Sequence, residues 1–550
     1  MPPSRSDGNR SLVVFAAAAL LLFLLLRVPS HPDEFTLGQL AHWPLEIPLA
    51  LLLLLVLPRR AAIVFRSLLI AGLLLLVLLR LADLGSRLAF GRAFSPLAEW
   101  HLIGQGWSLV ANAAGLGEAL AVLAVVAAVL VVTTLLLYRG LGRADRFAAP
   151  TRRWMGRAML VLLMLGGVAW SVPRAGGPDL GVRADVVAEF ATRIDRTRRA
   201  VEDQTRFAAE LAADPVPSRP PPSFAGLAGR DVIVLFVESY GRSWLDAPRF
   251  ADESTRTLRG LGRTLDAAGL AVTSGWVDSP IRGGRSWLAQ ATLASGMTLS
   301  DQARFDRLVT SDRRSLHTLF GAAGWRTAVV LPIVDGEWHE GAWYRPDHFL
   351  DGPALGYRGE DFGYVPMPDQ YTLAAFERAL RMPQAQPLFA TIGLLGSHAP
   401  WTPLALPVPW DSVGDGHVFD GSHRVGGALS WSDPEPVRNM YGRSLTLTLE
   451  RVGEYLARHA GDALVLIVGD HQPADVIAGW APNAHVPMHV VSRDRELLAG
   501  FSPAGFVDGT IPDAGAPALP MAGIREWLGT AFETSGPPPG RTAAPIVQSP

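Results

Sequence analysis

Long apolar runs dominate the first third of the chain, whereas the remainder alternates short apolar runs with polar stretches of helical periodicity. With its flanks, each long run approaches the roughly 20 residues that an α-helix needs to cross a bilayer. We therefore predict about five transmembrane helices, although the second and fifth are short enough to be buried helices instead. The five runs are residues 11–26, 45–57, 67–82, 117–138 and 158–172.

Arginines gather in alternate connections between these runs. The three groups are Arg5 and Arg10, then Arg59, Arg60 and Arg66, and finally the stretch from Arg139 to Arg157. The positive-inside rule makes these connections cytoplasmic. Arg27 closes the first run where a signal peptide would carry small cleavage-site residues, so we expect a retained anchor. Five spans then place the chain after about residue 173 in the periplasm or outside the cell, on a multi-pass protein of the inner (cytoplasmic) membrane.

The rest of the chain divides by pattern into three parts. Residues 174–230 form a polar helical stalk that ends in a Pro-rich linker. Residues 231–500 alternate apolar runs with amphipathic stretches, which is typical of an α/β domain with a mainly parallel, covered sheet. Residues 501–550 contain one amphipathic helix and a tail expected to be disordered. The apolar runs of the α/β domain are residues 232–237, 327–332, 387–395 and 463–469.

Composition removes several classes of function. The 550 residues carry 49 basic and 51 acidic side chains, so the chain has no general attraction for nucleic acid. The absence of cysteine excludes disulfides, thiol nucleophiles and cysteine-based metal sites. Candidate chemistry must therefore come from carboxylates, histidines and hydroxyls.

Residues of catalytic type follow three of the four apolar runs. Glu238 follows the first, His398 the third, and Asp470 with His471 the fourth. Ligands of open α/β sheets bind at the carboxyl ends of the strands. Glu238, Asp470 and His471 together offer hard oxygens and an imidazole, which suit Mn²⁺, Mg²⁺ or Zn²⁺ with an open position.

Ser286 is the candidate nucleophile. It follows paired glycines in a Gly-Gly-Arg-Ser stretch, at the start of a predicted helix. A helix N-terminus and a nearby cation both stabilise an alkoxide, and the glycines let an anion approach the backbone. An ordinary helix N-cap is the alternative role for this serine.

The order of five short motifs resembles the lipoteichoic acid synthase and phosphoglycerol transferase family, within the alkaline phosphatase and sulfatase superfamily. The motifs are VLFVESYG, the Gly-Gly-Arg-Ser turn, a Trp-Tyr-Arg segment, a Ser-His-Ala-Pro loop and Gly-Asp-His-Gln-Pro. The resemblance implies five membrane helices and a sulfatase-like, alkaline-phosphatase-like catalytic domain outside the cytoplasm.

Site roles follow from this resemblance by position. It implies that Glu238, Asp470 and His471 bind one divalent cation, Mn²⁺ or Mg²⁺. Ser286 stands where the family has a threonine nucleophile that also contacts the metal. Both residue types supply the hydroxyl that the chemistry needs.

Three further residues are assigned to substrate by the resemblance. Trp343 and Arg345 match a Trp-x-Arg pair that holds phosphate and glycerol, and an arginine can clamp two phosphate oxygens. His398 matches a substrate-binding histidine and is also placed to protonate a leaving oxygen.

The function implied is transfer of a phosphoglycerol-type head group from a membrane phospholipid to an envelope glycan or lipid, through a phosphoserine-type intermediate. A sulfatase-like hydrolase of phosphate or sulfate esters remains an alternative, although the Ser279–Arg282 stretch lacks the sulfatase maturation spacing. A metal-independent serine esterase would use Ser239, in a near match to a nucleophile elbow. A non-catalytic envelope protein is the remaining class.

Overall fold

The computed structural model describes residues 5–31, 34, 42–90, 94, 116–213, 222–336, 338–381, 386–426, 434–479 and 483–533. The chain forms two compact units, one of Met1–Leu88 with Arg92–Asp203 and one of Ala89–Gly91 with Gln204–Pro550. Most of the predicted Pro-rich linker at 215–223 and the predicted disordered tail lie outside the described residues.

Helices build the first unit, because its Leu- and Ala-rich runs have high helix propensity. They are α1 (Arg5–Leu25), α2 (Glu46–Val56), α3 (Arg59–Phe90), α4 (Leu116–Leu141), α5 (Ala149–Ser171) and α6 (Asp185–Ala212), of which α6 is polar and begins in this unit. Two-residue strands β1 (Trp43–Pro44) and β2 (Val182–Arg183) pair in parallel.

Three segments among the described residues are long and apolar enough to cross a membrane: Arg59–Arg87, Leu120–Arg146 and Ala149–Ala175. The prediction of five spans is therefore wrong for the described residues, in which three segments meet the length and hydropathy that a span requires. The first two apolar runs lie in shorter apolar helical stretches, Asn9–Leu25 within α1 and Glu46–Val56, which is α2. The second of these stops before Pro58, since proline lacks the N–H that a continuing helix requires.

Strands of the second unit form a nine-stranded sheet within the described residues. Its strands are β3 (Val232–Val237), β4 (Ala271–Asp278), β5 (Arg326–Leu331), β6 (His348–Asp351), β7 (Leu388–Leu394), β10 (Leu464–Gly469), β11 (His485–Ser492), β12 (Val507–Asp508) and β13 (Ala518–Pro520). The order is β12-β4-β11-β10-β3-β7-β5-β6, with β13 beside β4. Strands β8 (Leu404–Ala405) and β9 (Arg424–Val425) pair separately.

The sheet is mixed, whereas the sequence predicted a mainly parallel one. Strands β10, β3, β7, β5 and β6 run parallel to their neighbours in this part of the sheet. Strand β11 is antiparallel to both β10 and β4, and β12 is antiparallel to β4. An apolar run indicates a buried strand but does not encode its direction, so the antiparallel part was missed.

Helices cover both faces of the sheet. They are α7 (Ser243–Asp246), α8 (Pro248–Ala267), α9 (Ser286–Ser295), α10 (Gln302–Val309), α11 (Leu316–Ala322), α12 (Gly341–Tyr344), α13 (Gly352–Leu355), α14 (Asp369–Leu380), α15 (Pro434–His459), α16 (Asp475–Ala478), α17 (Arg495–Ala499) and α18 (Gly523–Ala531). Successive residues of β3 point to opposite faces of the sheet and so enter different hydrophobic cores. Ile233 lies in the core formed with α8, α14 and α15. Val234 lies in the core formed with α9, α11 and α18.

The register of the three central strands brings their carboxyl ends together. Val237, the last residue of β3, pairs with Gly469 of β10 on one side and with Leu394 of β7 on the other. The residues that follow these strands therefore emerge at one edge of the sheet.

Candidate active site

Three ligating side chains converge at this carboxyl edge. Glu238 follows β3, and Asp470 with His471 follows β10. One ligating atom of each lies within 4.8 Å of the others. The three residues are 5%, 1% and 1% exposed, in that order. Parallel pairing of β3 with β10 places the two strand ends side by side and so creates the cluster.

Backbone groups hold the Asp470 carboxylate. Its Oδ1 accepts hydrogen bonds from the N–H of Ser239 at 2.8 Å and from the N–H of His471 at 2.7 Å. The close turn depends on Gly469, because a Cβ there would collide with the carbonyl oxygen of Tyr240. Oδ2 lies 3.6 Å from Nε2 of His471. One carboxylate oxygen is thus fixed by the backbone while the other faces the cluster.

A backbone carbonyl orients the His471 ring. Nδ1 lies 2.8 Å from the carbonyl oxygen of Gln472, which only accepts, so Nδ1 carries the proton. Nε2 then faces the carboxylates, 3.3 Å from Oε1 of Glu238. Histidines that bind metals are oriented in this way, with one nitrogen donating to a carbonyl and the other pointing at the ion.

The electrostatics of the cluster favour a cation. Burial raises the pKa of Asp470, and the charge of Glu238 raises it further. Burial lowers the pKa of His471, but Asp470 and Glu238 outweigh this effect and raise it to about 9. Burial raises the pKa of Glu238, yet the charges of His398 and His471 lower it overall. Two buried carboxylates thus draw positive charge toward them, and their oxygens with one imidazole nitrogen fit a divalent metal ion.

A strained turn leads into α9. Gly283, Gly284 and Arg285 have φ angles of 69°, 128° and 68°. Glycine alone adopts the second of these angles readily, and a left-handed arginine is uncommon. The N–H of Gly283 donates to the carbonyl of Gln472 at 2.9 Å, which ties the turn to the segment after β10. Backbone strain of this kind persists where the surrounding structure requires one particular geometry.

The turn directs the Ser286 hydroxyl into the cluster. Ser286 is the first residue of α9, and its Oγ donates to Oε2 of Glu238 at 2.8 Å. The same Oγ lies 3.3 Å from Nε2 of His471. The helix N-terminus adds a partial positive charge, which favours negative charge on this oxygen.

His398 borders the cluster from the loop after β7. The hydroxyl of Ser397 donates to the backbone carbonyl of Glu238 at 2.6 Å and so ties the loop to β3. Nδ1 of His398 lies 2.5 Å from the carbonyl oxygen of Ala399, and the ring stacks on Tyr364 with centroids 4.4 Å apart. Burial and the charge of Glu238 raise the pKa of Tyr364. An imidazole and a phenol therefore lie beside the carboxylates.

The segment that carries Trp343 and Arg345 is held by hydrogen bonds of its own. Asp347, two residues further on, accepts from the N–H and hydroxyl of Thr327 at 2.8 and 2.9 Å, near the start of β5. The indole N–H of Trp343 donates to the carbonyl of Arg313 at 2.8 Å, and the side chain is buried. Nε of Arg345 donates to the carbonyl of Ala342 at 3.3 Å. The substrate-binding role of this pair stays a prediction.

Sequence reasoning missed the support given by Asp369, the first residue of α14. Its Oδ1 accepts from the N–H of Leu395 at 2.7 Å and of Gly396 at 3.0 Å, and its Oδ2 accepts from the hydroxyl of Thr448 at 2.8 Å. It therefore shapes the turn that leads from β7 to His398. Locally, an aspartate at a helix start indicates only a cap, so no sequence signal distinguishes this role. Tyr364 also belongs to no motif.

No family model and no curated protein matches the chain. Solved structures similar to it include the lipoteichoic acid synthase LtaP of Listeria monocytogenes, at 15% identity over 50% of this chain and 68% of that one, with a TM-score of 0.35. The C-terminal periplasmic domain of EcEptC from Escherichia coli matches at 14% identity over 54% and 80%, with a TM-score of 0.35.

A third similar structure is the Streptococcus pyogenes phosphoglycerol transferase GacH in complex with sn-glycerol-1-phosphate. It shares 12% identity over 60% of this chain and 89% of that one, with a TM-score of 0.35. Two of the three are proteins of the kind that the sequence motifs resemble. At these scores the likeness carries no argument about activity, which must rest on the residues of this chain.

Proposed function

We propose that this protein is a membrane-anchored, metal-dependent phosphotransferase that attacks a phosphodiester with Ser286. The observation that carries the proposal is the position of Ser286 Oγ, 2.8 Å from Oε2 of Glu238 and 3.3 Å from Nε2 of His471. A hydroxyl held among candidate metal ligands at a helix N-terminus has the environment that activates a nucleophile.

Glu238, Asp470 and His471 would hold one divalent cation, Mn²⁺ or Mg²⁺, and their donor set also suits Zn²⁺. Ser286 faces the same atoms and would be a further ligand. When bound, such an ion lowers the pKa of a hydroxyl and offsets charge on a phosphoryl group.

The residues of the chain divide the reaction into two displacements. The Ser286 hydroxyl passes its proton to Oε2 of Glu238, to which it already donates. Its oxygen then forms a bond to phosphorus, and the bond from phosphorus to the diacylglycerol oxygen breaks. An acceptor hydroxyl next passes its proton to His398 and attacks the same phosphorus, and the Ser286 oxygen leaves and takes back the proton held by Glu238. The first displacement leaves the head group covalently attached to Ser286.

His398 supplies the proton for the leaving oxygen in this scheme. Its Nδ1 is engaged by the carbonyl of Ala399, which leaves Nε2 to exchange the proton. Stacking on Tyr364 restricts the ring to one plane. Trp343 and Arg345 are the proposed contacts to the phosphate and glycerol of the substrate, a role that the sequence motif predicts.

The proposed donor is a membrane phospholipid with a phosphoglycerol-type head group, and the proposed acceptor is an envelope glycan or lipid. The apolar helices of the same chain support a lipid donor, since anchoring raises the local concentration of lipid around the domain. Arginines gather at the start of α3, the end of α4 and the start of α5. By the positive-inside rule, this pattern supports a catalytic domain on the periplasmic or extracellular side of the inner membrane.

Two alternatives differ from this scheme in a measurable way. A hydrolase of phosphate or sulfate esters would use the same residues with water as the acceptor. A serine esterase would use Ser239, but the hydroxyl of Ser239 donates to Oε1 of Glu238 at 3.0 Å rather than to an imidazole, and the residue is buried. This geometry favours a supporting role for Ser239.

The test is release of diacylglycerol from fluorescent phosphatidylglycerol by the full-length protein in detergent. Release is expected with Mn²⁺, and it should be lost with EDTA and in Ser286→Ala. Activity that survives EDTA and disappears in Ser239→Ala would overturn the proposal in favour of an esterase. Adding an acceptor such as glycerol separates transfer from hydrolysis, because only a transferase then forms a new phosphodiester.

A further inference from the structure

A polar cavity of about 300 Å³ lies within the first unit, between the segment that follows α1, the end of α3 and the start of α6. Five arginines line it: Arg27, Arg80, Arg87, Arg193 and Arg196. So many guanidinium groups around one cavity are costly unless acceptors surround them. The arginine N–H groups that have no acceptor among the described residues determine which ligand the cavity can bind.

Four acidic residues line the cavity: Glu34, Asp83, Asp185 and Glu189. Glu34 accepts from the N–H groups of Ser30 and His31 at 2.7 and 3.2 Å. Two of the arginines occupy Glu189 and Asp83. Glu189 accepts from Arg80 through Oε2 at 2.6 and 2.9 Å, and from Arg193 through Oε1 at 2.8 and 3.2 Å. Asp83 accepts from Arg193 at 2.7 Å and from the N–H of Phe94 at 3.0 Å. Nη1 of Arg80 donates instead to the backbone carbonyls of Leu26 and Val28, at 2.7 and 3.1 Å, in the segment that follows α1.

Two other arginines of the cavity retain unused donors. The Arg27 side chain is 7% exposed, and within the described residues its Nε and Nη2 are buried without a hydrogen-bond partner. Its nearest carboxylate, Asp185, lies 3.6 Å from Nη1 and is half exposed. Nε of Arg87 is likewise buried without a partner among the described residues. Desolvated guanidinium N–H groups of this kind call for an anionic acceptor.

The position of the cavity along the helices indicates the source of the anion. Arg87 ends the apolar segment Arg59–Arg87, and Arg27 lies two residues beyond the end of α1. Arginines that follow apolar runs lie at the boundary between membrane and water. Phospholipid phosphates occupy the same level, and a phosphate matches the planar fork of an arginine.

We infer that this cavity binds the phosphate group of a membrane phospholipid, with Arg27 and Arg87 as its donors. The site is distinct from the cluster of Glu238, Asp470 and His471, which belongs to the other unit. It would hold a phospholipid whether or not the catalytic domain turns one over, so it goes beyond the proposed function.

The test measures binding of dihexanoyl phosphatidylglycerol to full-length Ser286→Ala protein in a neutral detergent with EDTA, by calorimetry. Arg27→Gln and Arg87→Gln should each weaken one binding event by about tenfold or more, because each removes charge-assisted hydrogen bonds. The matched control is Arg174→Gln, an exposed arginine near the end of another apolar segment and outside the cavity, which should change affinity less than about twofold.

Three further arms make the outcome decisive. Dihexanoylglycerol, which lacks the phosphate, should not bind this site. Inorganic phosphate that binds as tightly as the lipid would overturn the lipid assignment in favour of a free anion. If Arg27→Gln fails to fold by its elution and circular dichroism, Arg87→Gln and Arg196→Gln at the exposed rim take its place. Unchanged affinity in the folded cavity variants would overturn the site.

Discussion

The hydroxyl of Ser286 donates a 2.8 Å hydrogen bond to Oε2 of Glu238, across 48 positions of sequence. Oε1 of the same carboxylate accepts from the hydroxyl of Ser239 at 3.0 Å and lies 3.3 Å from Nε2 of His471. Glu238 therefore connects the candidate nucleophile to the candidate metal ligands. A change at Ser286 should therefore affect the reaction, whereas a change at a candidate metal ligand should affect binding of the metal ion.

Removing the nucleophilic hydroxyl should abolish activity without unfolding the protein. Ser286→Ala is expected to lower head-group release by about a thousandfold or more, because no other group in the scheme can form the covalent bond. Ser286→Thr is the matched control and should retain activity, since it keeps the hydroxyl. Residual activity above a tenth of wild type in the alanine variant, at an unchanged unfolding temperature, would contradict this role.

Neutralising Asp470 should separate stability from metal binding. The Asp470→Asn change keeps a side-chain oxygen for the N–H groups of Ser239 and His471 but removes one of two buried like charges. Without metal, the variant should be at least as stable as wild type. Mn²⁺ at about 100 times its Kd should stabilise wild type by about 2.7 kcal/mol and the variant far less.

Thermal unfolding in detergent, with EDTA and then with Mn²⁺, measures both effects of the Asp470→Asn change. An equal Mn²⁺-induced rise in unfolding temperature in both proteins would show that the ion binds elsewhere.

Loss of the Asp369 carboxylate should destabilise the turn before His398. Asp369→Ala leaves the buried N–H of Leu395 and the partly buried N–H of Gly396 without acceptors, at a cost of about 2 to 4 kcal/mol. Thr448→Val removes only one hydrogen bond and should cost about 1 kcal/mol. Unfolding midpoints in denaturant give the comparison, and equal midpoints for the two variants would be inconsistent with this role.

Mild acid should weaken the fold through His317. This residue is fully buried, and burial lowers its pKa to about 3. An unfolded histidine has a pKa of about 6.5, so between these values the unfolded state binds more protons. Stability is therefore lost as the pH falls through this window, by about 2 kcal/mol between pH 7 and pH 5.

His317→Gln tests this effect, because glutamine can still bond to the hydroxyl of Thr391, which Nε2 of His317 approaches at 3.1 Å, but does not titrate. The drop in unfolding temperature from pH 7 to pH 5 should be smaller in the variant. An identical drop in both proteins would assign the acid sensitivity to other groups.

The convergence of Glu238 with Asp470 and His471 was predictable because two simple rules act together. Continuous apolar runs indicate buried strands, and residues after parallel strands share one edge of the sheet. The register of Val237 with Gly469 is what those rules require. The glycines before Ser286 likewise indicated a tight turn, which the positive φ angles of Gly283 and Gly284 realise.

Other features depended on contacts that no local pattern contains. The substrate-binding role of Trp343 and Arg345 rests on a short motif and stays a prediction, because their hydrogen bonds to the carbonyls of Arg313 and Ala342 do not test it. The direction of β11 depends on its neighbours, and the apolar helical stretches Asn9–Leu25 and Glu46–Val56 are shorter than a span requires. Asp369 acts through backbone groups 26 and 27 positions away, beyond any local signal.

In the proposed reaction, the head group becomes covalently bound to Ser286 before it reaches the acceptor. The most direct measurement is mass spectrometry of the full-length protein after a brief incubation with phosphatidylglycerol and Mn²⁺, quenched in acid and digested. The peptide that carries Ser286 should gain the mass of a phosphoglycerol group, and the same peptide from Ser286→Ala should gain none. Diacylglycerol release without any adduct on this peptide, or with the adduct on Ser239, would contradict it.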